Sequence, residues 1–131
     1  MEKTLVLIKP DAVKGKLIGR IIMMYEENGL EIEGIYKKSV DISFLAEHYA
    51  EHVGRDFYPD LVEFMSSGPV VALLIAGENA VDTVRMINGA TNPKNALPGS
   101  VRFLFGTDVR MNCVHGSASK EEAEREINLW F

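Results

Sequence analysis

Residues 69–76, Pro-Val-Val-Ala-Leu-Leu-Ile-Ala, form an apolar run that no charged or polar side chain interrupts. Such a run predicts a strand deep inside a sheet. A second short apolar run, Thr4-Leu5-Val6-Leu7-Ile8, stops before Pro10, which cannot continue a strand ladder. These two are the most apolar strands that the sequence predicts, and we expect them to lie in the middle of the sheet.

The remaining pattern alternates helices and strands around this pair. Apolar residues at helical spacing predict a helix from Leu17 to the Asn28-Gly29 turn, and residues 31–40 predict a strand with a bulge at Gly34. The other predicted elements are short helices from Ser43 to His52 and from Pro59 to residue 67, a helix from Asn79 to Asn88, a short strand at 112–115, and a final helix that starts at the Ser119-x-x-Glu122 capping box. Residues 89–111 show no sustained period, and irregular segments of this length are often functional.

This order of elements predicts an α+β fold of the split βαβ type with an additional C-terminal helix. We expect the first and third strands at the centre of the sheet and the helices on one of its faces. The length of 131 residues suits one domain, which we place at residues 1–131.

Composition and charge exclude several classes of protein. Fourteen Lys and Arg against nineteen Asp and Glu give a net charge of −5, which argues against a protein that coats nucleic acid. The negative charge is concentrated in residues 41–79, whereas residues 80–112 hold four basic and two acidic side chains. That basic stretch indicates either a pocket for an anion or chance.

Features of localisation point to the cytoplasm. No run approaches the ~18 apolar residues that a membrane-spanning helix needs. The first residues lack the pattern of a secretory signal, because Lys9 ends the apolar run. The single cysteine, Cys113, cannot form an internal disulfide, as expected in a reducing compartment.

His115 is the strongest candidate for chemistry. It precedes Gly116, Ser117 and the final helix, where the partial positive charge of the helix N-terminus favours a neutral, nucleophilic imidazole. Glu126 lies seven residues beyond Ser119, about two turns into that helix, and we expect it to orient His115 directly or through Ser117. An ordinary hydrogen-bonded histidine and a solvated Glu126 are the alternative that these positions leave open.

Two weaker patterns also involve histidine. His48 and His52 are four residues apart on a predicted helix, a spacing that can hold zinc, but no third ligand is evident and one packed and one exposed histidine is the favoured interpretation. Cys113 and His115 would share a face if residues 112–116 were extended, which makes a Cys–His nucleophile conceivable. A lone cysteine in an apolar strand is usually a core residue.

Any phosphate would have to be held by side chains, because no G-x-x-x-x-G-K-[ST] loop is present. Lys9, Arg85 and Arg102 are the candidate cations, and Thr91 is a candidate hydroxyl donor. Each of them could equally be a solvated surface residue. Phe57 could stack on a base, although a core aromatic is the safer interpretation.

Several segments in this order and spacing resemble the nucleoside diphosphate kinase family across residues 3–131. They are Leu7-Ile8-Lys9-Pro10-Asp11-Ala12-Val13, Phe64-Met65-Ser66-Ser67-Gly68-Pro69-Val70-Val71, Gly89-Ala90-Thr91-Asn92-Pro93, Pro98-Gly99-Ser100-Val101-Arg102, Asn112-Cys113-Val114-His115-Gly116-Ser117, and Glu126-Ile127 with Trp130-Phe131. The resemblance implies a ferredoxin-like α/β sandwich (βαββαβ) with a four-stranded antiparallel sheet covered by helices.

The resemblance also implies an activity. The γ-phosphoryl group of a nucleoside triphosphate, mainly ATP, would pass to His115 on Nδ1 and then to a nucleoside diphosphate, in a ping-pong reaction. Glu126 and Ser117 would position the histidine, and Mg²⁺ would be carried on the nucleotide phosphates. The residues that match nucleotide or phosphate contacts are Lys9, Tyr49, His52, Phe57, Leu61, Arg85, Thr91, Arg102, Val109 and Asn112. We expect a homo-oligomer, either a hexamer or a tetramer.

The sequence departs from the family pattern at Ala118, where Asp is usual, and at Phe103 and Leu104 after the arginine. The capping role of the missing Asp would be lost or would move to Ser119. These departures motivate a second hypothesis, a non-catalytic nucleotide-binding or scaffold protein of the same fold. A third hypothesis, an RNA-binding module, is disfavoured by the acidic charge and by the absence of a K-G-F-x-F-like strand.

Overall fold

The two most apolar strands lie side by side at the centre of the sheet, as predicted. A computed structural model describes all residues from Met1 to Phe131. Strand β1 (Glu2–Ile8) pairs with β3 (Val70–Gly77) in an antiparallel register that sets Leu5 opposite Leu74. Strand β2 (Glu31–Lys38) flanks β3, and β4 (Val114–Gly116) flanks β1, so the order is β2-β3-β1-β4 with every pair antiparallel.

Seven α-helices and two short 3₁₀ turns connect these strands. The α-helices are α1 (Pro10–Lys14), α2 (Ile18–Glu27), α3 (Ile42–His48), α4 (Tyr58–Met65), α5 (Ala80–Asn88), α6 (Val101–Phe105) and α7 (Lys120–Trp130), and the 3₁₀ turns are Ala50–His52 and Pro93–Asn95. No helix is long and apolar enough to span a bilayer.

Helices cover both faces of the sheet, so the expectation of a single covered face was wrong. Val6 and Val71 belong to one apolar cluster with helix residues such as Ile21. Leu5 and Val70 belong to a second cluster on the other face, which includes Trp130. Successive strand residues point to opposite faces, so an uninterrupted apolar strand requires cover on both sides.

The sequence placed most element boundaries within a few residues, but several details were wrong. Helix α3 starts at Ile42 rather than at Ser43, and its N-cap is Asp41, whose carboxylate accepts a hydrogen bond from the Phe44 N–H. The Asn79 side chain caps nothing, and the Glu2 carboxylate instead accepts from the Val81 N–H at the start of α5. The start of a short helix depends on such local capping hydrogen bonds, and the spacing of apolar residues does not reveal them.

The long segment at 89–111 is more regular than its sequence indicates. Besides the 3₁₀ turn at Pro93–Asn95, it contains α6, which the Ser100 hydroxyl caps by accepting from the Phe103 N–H. Helix α6 is short and exposes Phe103 and Leu104, so its apolar residues show no core-facing period.

Cys113 does not lie in an extended strand with His115. Its φ is +77°, in the left-handed region, and β4 starts only at the next residue. The thiol is fully buried, and burial raises its pKa to about 12. Because the thiolate is the reactive form, the hypothesis of a Cys–His nucleophile was wrong.

Candidate active site

A hydrogen-bonded triad of side chains joins β4 to α7. His115 Nε2 lies 2.9 Å from Glu126 Oε1, and the Ser117 hydroxyl donates to the same oxygen at 2.7 Å. Burial opposes ionisation of this carboxyl, but the hydrogen bond and charge of His115 and the bond from Ser117 lower its pKa to about 2. Glu126 is therefore an ionised acceptor, and the proton of a neutral His115 is assigned to Nε2. Nδ1 keeps its lone pair.

The contact between His115 and Glu126 follows from the capping of α7. The Ser119 hydroxyl accepts from the Glu122 N–H and fixes where the helix starts. Glu126 comes two turns later on the face that packs on the sheet, where it is buried. The Ser119 side chain takes the capping role. This was one of the two outcomes expected where Ala118 replaces the usual Asp.

Lys9 and Asn112 lie next to each other at the end of β1 and just before β4. The Lys9 Nζ donates to Asn112 Oδ1 at 2.8 Å, and the Asn112 amide donates to the carbonyls of Thr91 and Val109. Burial, with the neighbouring positive charge of Arg102, lowers the pKa of Lys9 to about 8 despite the opposing charge of Asp11. Lys9 is therefore still mostly protonated at neutral pH.

The two candidate arginines have different surroundings. Arg102 donates from all three guanidinium nitrogens to backbone carbonyls, those of Gly89 at 2.8 Å, Val114 at 2.7 Å and Asn112 at 3.3 Å. It connects the end of α5 to β4 and keeps two N–H groups free. Arg85 is exposed and its guanidinium makes no hydrogen bond within the protein. The arginine more available to a ligand is thus Arg85.

These residues surround a cavity of about 660 Å³, which we call the main cavity. Its volume is in the range of small-molecule sites. Its charged and polar lining residues include Lys9, Arg85, Thr91, Arg102, Asn112 and His115. No Asp or Glu lines it. The main cavity is thus suited to a small anion.

A smaller cavity of about 180 Å³, the side cavity, shares His115 and Ala118 with the main cavity. Tyr49 and His52, both predicted as nucleotide contacts, line the side cavity and not the main one. The structure therefore places the predicted contacts in two adjoining spaces that meet at His115.

The predicted apolar base slot is the least assembled part of the site. Phe57 and Val109 are both about half exposed or more, at 47% and 60%, and neither Phe57 nor Leu61 lines the two cavities. An ion pair between Arg110 and Asp60, 3.5 Å apart, links this loop to α4. The role of Phe57, Leu61 and Val109 stays a prediction.

Trp130 and His48 support the triad, and the sequence did not predict that they are in contact. The Trp130 indole N–H donates to His48 Nδ1 at 2.9 Å, and the His48 ring meets the His115 ring edge-on with centroids 4.9 Å apart. Burial, with the nearby His115, lowers the pKa of His48 to about 3. The two partners are 82 residues apart in sequence, so no local signal could reveal them.

The histidines do not form a zinc site. Ligand atoms of His48, His115 and Glu126 lie within 4.8 Å of one another. However, His48 Nδ1 accepts from Trp130, so the proton of this neutral ring is on Nε2 and no lone pair is left for a metal. His52 also lines the side cavity, but it is not part of this group of ligand atoms, and its ring packs toward Phe57 with centroids 5.4 Å apart. The favoured interpretation was one packed and one exposed histidine; the structure has His48 buried and His52 partly buried.

Fold and site together define a class before any comparison. A ferredoxin-like sandwich that carries a carboxylate-held histidine beside a basic cavity is suited to an enzyme that transfers a phosphoryl group. The family model described as nucleoside diphosphate kinase matches residues 2–131.

Known proteins agree with the family model. A nucleoside diphosphate kinase of Nocardioides sp. is 50% identical over 98% of this chain and 96% of its own length. One from Caldanaerobacter subterraneus subsp. tengcongensis is 51% identical over 100% of this chain and 94% of its own. The crystal structure of the apo enzyme from Encephalitozoon cuniculi superposes with a TM-score of 0.97 at 40% identity, covering 100% of this chain and 89% of that one. The Aquifex aeolicus enzyme also gives a TM-score of 0.97 at 40% identity, over 99% and 94% of the two chains.

This chain belongs to the nucleoside diphosphate kinase family. The ferredoxin-like fold expected from the resemblance is confirmed, and the chain is a phosphotransferase by family. Nothing in the comparisons favours the non-catalytic or RNA-binding hypothesis.

Proposed function

We propose that this chain transfers the γ-phosphoryl group of a nucleoside triphosphate, mainly ATP, to a nucleoside diphosphate through a phosphohistidine at His115. One observation carries the assignment of the reacting atom. The ionised Glu126 holds His115 at Nε2, 2.9 Å away, and this leaves the Nδ1 lone pair as the free nucleophile next to a basic cavity.

The reaction has two half-reactions. The Nδ1 lone pair forms a bond to the γ-phosphorus while the bond from phosphorus to the β,γ-bridging oxygen breaks, and the nucleoside diphosphate leaves with that electron pair. The Nε2 proton stays on His115, and the Glu126 carboxylate stabilises the positive charge that develops on the ring. A second nucleoside diphosphate then attacks the phosphohistidine in the reverse sense.

The basic residues supply charge stabilisation for this loose transition state. Lys9 contributes a positive charge beside Asn112, and Arg85 brings an unoccupied guanidinium to the mouth of the main cavity. Arg102 has two N–H groups left for a phosphate after binding three carbonyls. We assign the remaining nucleotide contacts to residues around the two cavities and on α4, namely Tyr49, His52, Phe57, Leu61, Thr91, Val109 and Asn112.

Mg²⁺ would enter with the nucleotide rather than bind to the protein first. The main cavity has basic and neutral polar side chains but no carboxylate, whereas protein-held Mg²⁺ usually has one or two carboxylate ligands. Carried on the nucleotide phosphates, Mg²⁺ would help to neutralise the charge of the leaving group, while Lys9 and the arginines of the main cavity would face the phosphates.

We also propose a homo-oligomer, a hexamer or tetramer, that acts in the cytoplasm. Apolar side chains that a monomer would leave in water include Ile35 on β2 and Leu97, Phe103 and Leu104 in the long loop. Such exposure is typical of surfaces that other subunits cover. Sedimentation velocity over a range of concentrations tests this, and a monomer throughout would refute it.

The function is tested by labelling with γ-³²P-ATP and Mg²⁺. We expect an acid-labile adduct on His115 that disappears when GDP is added and appears as labelled GTP. His115→Ala should form no adduct. An adduct that persists in His115→Ala, or no adduct in the unaltered protein, would refute the proposal, and the second result would favour a non-catalytic protein of the same fold.

A further inference from the structure

Two segments about a hundred residues apart are joined by three hydrogen bonds, and we call this arrangement the clasp. The Lys9 N–H donates to the Cys113 carbonyl at 2.8 Å, and the Cys113 N–H donates to Asp11 Oδ2 at 3.1 Å. The Lys9 Nζ donates to Asn112 Oδ1 at 2.8 Å. Asp11 and Cys113 are the residues of the clasp to which no role in the reaction has been given, and Asp11 is the only one of the two that carries a charge.

The clasp encloses a backbone conformation that needs support. Cys113 has a φ of +77°, a backbone angle that residues other than glycine rarely adopt. The carbonyl and the N–H of Cys113 are both hydrogen-bonded within the clasp. Its carbonyl accepts from the Lys9 backbone, and its N–H donates to the Asp11 side chain. Because Asn112 precedes this turn and β4 with His115 follows it, the Asp11 carboxylate fixes how both enter the main cavity.

Asp11 also provides the negative charge of the clasp, two residues from the buried Lys9 and without a direct ion pair to it. Four charged or titratable side chains interact electrostatically with Lys9, and each belongs to a different part of the chain. They are Asp11 in α1, Arg102 in α6, Cys113 before β4 and His48 in α3. Arg102 repels the ammonium group, while Cys113 and His48 are neutral. Asp11 is therefore the carboxylate that opposes both the burial of Lys9 and the repulsion by Arg102.

We propose that Asp11 is a positioning residue of the phosphoryl-transfer site: its Oδ2 holds the left-handed Cys113 turn, and its carboxylate supplies the negative charge of the clasp. The proposal rests on the proposed function, in which a protonated Lys9 stabilises the transferring phosphoryl group. Burial raises the pKa of the Asp11 carboxyl, while the Cys113 N–H and the Lys9 charge counteract this rise and favour the carboxylate.

Two substitutions separate the two tasks. Asp11→Asn keeps an oxygen that accepts from the Cys113 N–H but removes the charge, and Asp11→Ala removes both. The control is Asp82→Asn, which removes one charge from the exposed first turn of α5, where Asp82 makes no hydrogen bond. The measurement is the single-turnover rate of His115 phosphorylation by ATP between about pH 6 and pH 10.

In Asp11→Asn we expect the plateau rate to stay within about twofold of the unaltered protein. The basic limb of its pH profile should move down by about one pH unit, because loss of a neighbouring carboxylate lowers the pKa of Lys9. In Asp11→Ala the limb should move similarly and the plateau should fall by about tenfold as the turn loosens. If the Asp11→Asn profile superimposes on those of the unaltered protein and Asp82→Asn, the charge role is refuted.

A second measurement tests the clasp without relying on the reaction. Cys113 is the only thiol and is fully buried, so its rate of reaction with a thiol reagent reports opening of the turn. We expect this rate to rise about tenfold in Asp11→Ala and to change little in Asp11→Asn. Equal rates in all variants would refute the positioning role. If the unaltered protein forms no phosphohistidine, the proposed function fails while the thiol measurement still decides whether Asp11 holds the turn.

Discussion

Glu126→Gln is the substitution that most directly tests the role proposed for the carboxylate at His115. Glutamine keeps the size of the side chain and an acceptor for the Nε2 proton, but it removes the negative charge. We expect the rate of His115 phosphorylation to fall by about 10- to 150-fold, with little change in the concentration of ATP needed for half-saturation. The reason is that the charge is needed chiefly when the ring becomes cationic in the transition state.

The magnitude follows from the hydrogen bonds at the carboxylate. A hydrogen bond to a charged group contributes about 1.5–3 kcal/mol, and each 1.36 kcal/mol changes a rate about tenfold. The network lowers the carboxyl pKa from 4.5 to about 2, which corresponds to about 3 kcal/mol at most, since solvent from the cavities screens part of the interaction. The upper limit from the pKa shift thus matches the upper end of the hydrogen-bond energy, and both support a loss of rate of up to about 150-fold.

The assay is rapid-quench measurement of the phosphohistidine at a series of ATP concentrations. Glu124→Gln is the matched control, because it removes the same charge from an exposed position of α7 that makes no hydrogen bond. A Glu126→Gln rate within about twofold of this control would refute the argument that the charge stabilises the developing imidazolium. The argument would also be refuted if Glu126→Gln raised only the concentration of ATP needed for half-saturation and left the maximal rate unchanged.

Three further outcomes are expected. Since the folded state keeps His48 neutral down to a pKa of about 3, the unfolded state binds a proton first as the pH falls below 6.5. Urea unfolding at fixed protein concentration should therefore show a loss of up to about 2 kcal/mol between pH 6.5 and 5, and a pH dependence no flatter in His48→Gln would contradict this. Arg102→Lys should lower the free energy of unfolding by about 2 kcal/mol through its lost carbonyl contacts, whereas Arg85→Lys should change it by less than about 0.5 kcal/mol, and equal effects would show that those contacts do not stabilise the protein. Gly89→Ala would place a Cβ 2.5 Å from the Ser100 Oγ at a φ of +87°, so its melting temperature should fall further than that of Gly29→Ala, where the φ is +81° but the space is open.

Much of the fold could be predicted because its strongest signals are local. The apolar runs that became β1 and β3 show directly which strands are buried, and the Ser119 cap fixes the start of α7. The same runs also indicate cover on both faces, although helices were expected on one face only. Helix α6 was not predicted because its stability depends on a hydroxyl cap and its apolar side chains face outward.

The triad could be predicted because His115, Ser117 and Glu126 lie within twelve residues of one another, and the helical repeat relates them. The supports of the site could not. The Trp130 bond to His48 and the Asp11 bond to Cys113 join residues 82 and 102 positions apart. The division of labour between Arg85 and Arg102 was equally hidden, because the sequence shows two arginines but not which one is bound by carbonyls.

The order of strands in the sheet has a consequence for synthesis of the chain. Strand β1 is made first, yet both of its neighbours, β3 and β4, come from the second half of the sequence. Between Ile8 and Gly77, where β3 ends, a ribosome adding about 5–20 residues per second needs roughly 3–14 s. During that time β1 has no strand to pair with, so its apolar residues need shielding. Catalytic competence can be acquired only after the last helix has left the ribosome.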